Sequence, residues 1–187
     1  MKAFAAPALA LLELESLARG IVVADAVVKR AAVKLSIAEA VSPGKYLLVF
    51  TGPVAEVEES FGAAVEVGGS TILDRLLLPH IAEAVIDALQ GRFAASGDAA
   101  VGIVETHTVA ATLLAADTAL KQATVTLTSL HLARGIGGKG WFTLSGAQHD
   151  VEAALEAVTR LVAPTLLVAT ELIQRPHAEL KSSAVLP

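Results

Sequence analysis

The chain has 187 residues, 54% of them apolar and only 18% charged, with a net charge of -5. That composition excludes disorder, which needs low hydrophobicity and high charge, and the acidic balance argues against nucleic acid. The absence of cysteine removes disulfides, thiolate metal sites and cysteine-held iron–sulfur clusters.

A chain this short cannot hide so much apolar surface in one core. The surplus must enter a membrane or other subunits. A spanning helix needs roughly 20 apolar residues in a row. Here the runs are interrupted early, by Glu13 and Glu15, by Asp25 and by Pro79. The opening Met1-Lys2-Ala3-Phe4 imitates a signal peptide only faintly and reads as a short disordered lead-in. Self-association is the simpler destination for the surplus.

In chain order, Ala8 to Glu15 reads as an apolar strand, and Leu17 to Arg30 as a helix with Ser16 as its N-cap. Val33 to Val41 is a strand, Ser42-Pro43-Gly44-Lys45 a turn, and Tyr46 to Thr51 a second strand. Val54 to Val67 is helical, with Glu56, Glu58 and Glu59 near its positive end, and Thr71 to Leu78 closes the set. Ile81 to Leu89 reads as an extra helix. The order then repeats, without that extra helix, as Val101 to Thr106, Val109 to Gln122, Val125 to Ala133, Lys139 to Ser145, Val151 to Val162 and Thr165 to Ile173.

The repetition extends to individual residues. A shift of 92 carries Ala8 onto Ala100, Glu13 onto Glu105, Ala24-Asp25 onto Ala116-Asp117 and Lys29 onto Lys121. Two residues are then gained, and a shift of 94 carries Gly44-Lys45 onto Gly138-Lys139 and Val57-Glu58 onto Val151-Glu152. Pro79-His80 falls on Pro176-His177. Each copy reads β-α-β-β-α-β, one sheet with helices on one face, in the α+β class. The expected division is 1–90 for the first domain, 91–98 for a Gly- and Ser-containing linker, and 99–187 for the second.

Catalytic signatures are thin. Gly135, Gly137 and Gly140 satisfy the glycine spacing of a dinucleotide loop, but Trp141 to Leu144 reads as a strand where a helix is required. His107, His131 and His149 have no counterparts in the repeat and read as surface residues, whereas His80 and His177 repeat after proline and read as structural. Glu13 and Glu105, matched in the two copies, read as buried hydrogen-bond acceptors. Asp25 with Lys29, and Asp117 with Lys121, have the spacing of surface ion pairs. No catalytic residue, metal site or cofactor is expected.

Ala24-Asp25-Ala26-Val27-Val28-Lys29-Arg30-Ala31-Ala32-Val33, and again Ala116-Asp117-Thr118-Ala119-Leu120-Lys121-Gln122-Ala123, resembles the first-helix signature of bacterial microcompartment (BMC) shell proteins. The family's Gly-Ser-Gly pore turn aligns with Ser42-Pro43-Gly44 and with Ile136-Gly137-Gly138. Its closing Pro-Arg-Pro-His matches Gln174-Arg175-Pro176-His177 at three positions and Leu77-Leu78-Pro79-His80 at two. The resemblance spans about 170 residues, both halves in order, and points to the tandem-domain branch.

This resemblance implies two tandem ferredoxin-like BMC domains, unpermuted, and a homotrimer that imitates a hexamer as a flat, single-layer structural tile. It implies a central pore for small metabolites, lined by Ser42, Pro43, Gly44 and Lys45 and by Gly135, Ile136, Gly137, Gly138 and Lys139. Ile136 would constrict the pore, and Lys45 and Lys139 would supply a cationic mouth that favours anions. Lys29, Lys121 and Arg175 would lie at the tile edge, with Leu78 at the place of Arg175 in the first copy. Implied partners are other BMC shell proteins, hexamers and pentamers, in the shell within the cytoplasm, with no membrane and no nucleic acid. The rival is a small-ligand-binding regulator or enzyme on a duplicated ferredoxin-like fold.

Overall fold

A computed structural model describes residues 7–94 and 100–181. The lead-in before Pro7 and linker residues 95–98 lie outside the described residues. The chain divides into two compact units, Met1–Glu83 and Ala84–Pro187, a boundary that falls ahead of residue 90.

In the first unit the elements are β1 (Ala8–Leu14), α1 (Leu17–Arg30), β2 (Lys34–Val41), β3 (Lys45–Gly52), α2 (Val54–Gly68) and β4 (Ile72–Leu78). They form an antiparallel sheet in the order β2-β3-β1-β4. Side chains alternate across a strand. Ala8, Ala10, Leu12 and Leu14 of β1, with Tyr46, Leu48 and Phe50 of β3, therefore share one core with Val23 and Val27 of α1 and Val57 and Ala64 of α2. Ser16 caps α1 by accepting from the Arg19 N–H at 3.2 Å, and Lys29 and Arg30 complement the dipole at its far end. The buried Ser60 hydroxyl donates to the Val27 carbonyl at 3.0 Å and ties α2 to α1.

The second unit opens with α3 (Glu83–Leu89), whose first residue belongs to the first unit, and contains β5 (Ala100–Thr106), α4 (Val109–Gln122), β6 (Val125–Leu132), β7 (Gly140–Gly146), α5 (Gln148–Leu161) and β8 (Leu167–Ile173). Its sheet order, β6-β7-β5-β8, reproduces the first. Even the irregularities repeat, with register shifts at Glu13/Leu14 and Glu105/Thr106 and at Leu35/Ile37 and Leu127/Ser129. One expectation is corrected. The second copy does not lack a closing helix, because α6 (Ala178–Lys181) starts there, with the His177 Nδ1 accepting from the Glu179 N–H at 3.3 Å.

The two cores solve one packing problem in opposite ways. In the first unit a methyl group at Gly20 on α1 would overlap the Tyr46 ring on β3. Their repeat counterparts are Thr112 on α4 and Gly140 on β7, where a methyl at Gly140 would overlap the Thr112 side chain. The large residue sits on the strand in one copy and on the helix in the other. Thr112 also bonds the Thr106 hydroxyl at 2.7 Å, where the first copy has the fully buried Leu14.

Candidate functional site

The β2–β3 hairpin closes through Ser42, Pro43 and Gly44, all exposed, with the Gly44 N–H donating to the Val41 carbonyl at 2.9 Å. Gly44 has φ 83°, a region in which a side chain is strained. The β6–β7 turn is longer. The Ala133 N–H donates to the Lys139 carbonyl at 2.8 Å and closes a loop in which Gly135, Gly137 and Gly138 have φ of 71°, 68° and 83°. Its glycines thus serve loop geometry. Gly140 begins strand β7, so the dinucleotide reading fails on structural grounds. Gly135 and Gly137 are exposed, Ile136 is half-buried and Gly138 is buried.

Lys45 and Lys139 are ion-paired within their own units. Glu13 lies opposite Leu47 and Glu105 opposite Trp141, which makes Lys45 and Lys139 their diagonal neighbours. Each Nζ lies 2.9 Å from the glutamate carboxylate. The sites differ in depth, since the Glu13 side chain is 0% exposed and that of Glu105 is 37% exposed. Glu13 is the buried acceptor expected, and Glu105 is only half-buried.

Lys29 and Lys121, at the last turns of α1 and α4, pair with Asp25 and Asp117, each at 2.6 Å. Lys121 also borders an open groove formed by Leu114, Asp117, Ala157, Arg160 and Leu161. Arg175 is exposed beyond β8. Sequence alignment set it opposite Leu78, and the register corrects this. Leu78 pairs with Leu9 as Ile173 pairs with Val101, so Gln174 and Arg175 fall in a segment without a first-copy equivalent.

Of the histidines, His107 and His149 are exposed, and His80 is exposed in the turn after β4 with φ 59°. His131 is also at the surface, but its ring stacks on Trp141 with centroids 4.2 Å apart, and burial lowers its pKa below the usual histidine value. Sequence reading missed an exposed apolar stripe on α1, formed by Leu17, Ile21 and Val28, whose helical spacing was its only signal. Among the described residues no helix is long and apolar enough to cross a membrane, and no cluster of His, Asp or Glu is arranged to hold a metal.

Two α+β repeats with matched sheets, glycine turns and lysine-ended helices define a tandem-domain shell protein. The chain belongs to the BMC family: the BMC domain model matches residues 8–81 and 100–176. It is 39% identical over 171 residues to the bacterial microcompartment shell protein PduT of Citrobacter freundii, covering 91% of this chain and 93% of that one. A solved microcompartment protein from Desulfitobacterium hafniense superposes with a TM-score of 0.89 at 36% identity, covering 95% of this chain and 99% of that one. A fused permuted hexameric shell protein of the RMM microcompartment shares the fold, with a TM-score of 0.62 at 23% identity over 82% of each chain. The protein is a structural component of a bacterial microcompartment shell.

Proposed function

We propose that three copies of the chain close into a pseudohexameric ring, a facet tile of the shell with a central pore for small metabolites, and that it acts as a wall without catalysing a reaction. The stripe on α1 carries this reading. Leu17, Ile21 and Val28 are 42%, 61% and 45% exposed, whereas their repeat counterparts Val109 and Leu113 are 0% exposed and Leu120 is half-buried. In a ring of near-equivalent units, a face buried in one repeat is an interface in the other. Closure with a second copy then covers the stripe on every first unit and absorbs the apolar surplus.

In that ring the turns at Ser42–Gly44 and Gly135–Gly137 alternate around the axis, with Ile136 as the narrow point. Lys45 and Lys139 bring their glutamates with them, so the mouth is lined by matched pairs rather than bare cations, and anion preference is weaker than a lysine ring implies. Lys29, Lys121 and Arg175 belong to the rim, where the tile meets other shell proteins.

Light scattering tests the ring. The wild-type chain gives three copies per particle, and Ile21→Arg gives single chains with an unchanged circular dichroism spectrum. A wild-type monomer that binds a small ligand overturns the tile and favours the regulator or enzyme. Lys29→Asp with Lys121→Asp leaves trimers but abolishes sheets, and persistent sheets refute the rim assignment.

A further inference from the structure

A methyl group added at Gly102 on β5 would run into Val151 of α5, so Gly102 looks toward the helices and its neighbours Ile103 and Glu105 look away. Trp141 pairs with Glu105 and Glu171 with Ile103, which puts both on the same outer face of the second sheet. That face is open: Ile103, Glu105 and Trp141 are only half-buried and Glu171 is exposed. In the first unit the counterparts of Ile103 and Trp141, Leu11 and Leu47, have no exposed surface, and neither has the Glu13 side chain. The helices show the reverse. Leu17, Ala18, Arg19 and Ile21, in the first half of α1, are exposed, whereas Val109, Ala110, Ala111 and Leu113 of α4 are buried. Each unit thus has open the surface that is covered in the other.

We propose that these two open surfaces are the two sides of one contact: the first half of α1 of one copy seats on the outer sheet face of the next copy's second unit, over Ile103 and Trp141. The inference rests on the trimeric ring above and names the surface that receives the α1 stripe. In a ring of near-equivalent units, each unit meets its neighbours through the same two faces. One face is covered only in first units and the other only in second units, so their open counterparts are what the next copy must cover. Helix meets sheet, which makes the contact head-to-tail, the kind that closes around an axis. Charge agrees in sign. Glu171 stands where the first unit has Leu76, and Arg19 where the second has Ala111, so each charge occurs only on an open surface. Neither side chain has a hydrogen-bond or ion-pair partner among the described residues. Glu15, the acid before α1, stays outside the contact, because its counterpart His107 is exposed although α4 is covered.

The chain has no cysteine and one tryptophan, so cross-linking and fluorescence both report without background. Leu17→Cys and Ile103→Cys chains, co-expressed and treated with a short bismaleimide, are expected to join into two-chain species. Neither variant joins to itself when expressed alone, and the double variant joins into three-chain species. In wild-type trimers the Trp141 emission shifts to the blue and loses acrylamide quenching relative to single chains of Ile21→Arg. Either cysteine variant joining to itself, trimers that give no mixed link, or Trp141 quenched equally in trimers and single chains overturns the docking and leaves the ring standing. Light scattering that finds the wild type as single chains overturns the ring, and the docking with it.

Discussion

Glu13 has no exposed surface, and the Lys45 cation helps to make a carboxylate tolerable at that depth. Removing one partner of a buried pair costs about 3–5 kcal/mol, because the other charge stays behind uncompensated. Lys45→Met is therefore expected to destabilise by about that much in urea unfolding. Lys139→Met, facing the half-exposed Glu105, is expected to cost about 0–1 kcal/mol, as for exposed pairs. Equal losses would show that depth does not separate the two sites. The Gly20–Tyr46 contact makes a second residue-scale prediction. Gly20→Ala overpacks the first core by about 1–3 kcal/mol. In the Tyr46→Ala background the same change costs far less, so a double-mutant cycle in denaturant yields strong coupling, and additivity refutes the steric account.

At the scale of elements, the strands and helices were legible because their periodicities are strong and appear twice. Leu17–Arg30 and Val109–Gln122 match expectation end for end, each with a capping side chain, Ser16 and Thr108, in place. The β-hairpin turns were legible from glycine and proline. What could not be read was anything set by register. The Glu13–Lys45 pairing needs β1 and β3 in their actual alignment, and the false match of Leu78 with Arg175 arose because a two-residue gain after β8 looks like aligned sequence. Helix α6 escaped because only four described residues carry it. The His131–Trp141 stack is likewise a cross-strand pair of β6 and β7. The folded-state pKa of His131 lies below its unfolded value, so the folded state favours the neutral ring. Its contribution is full above about pH 6.5 and is lost as pH falls below that value. Wild type is expected to lose more urea resistance between pH 8 and pH 5 than His131→Gln does, and identical losses contradict the assignment.

At the scale of the whole molecule, composition pointed to assembly before any element was placed, and the uncovered stripe on α1 gives that surplus an address. Duplication within one chain allows what six identical units cannot have: turns of two lengths and Lys–Glu pairs at two depths. Electron cryomicroscopy of the purified wild-type protein tests the central claim most directly. The account predicts threefold particles in which the segments 42–44 and 135–137 alternate around a central opening. Single chains without rotational symmetry, or rings whose axis is lined by other segments, contradict it.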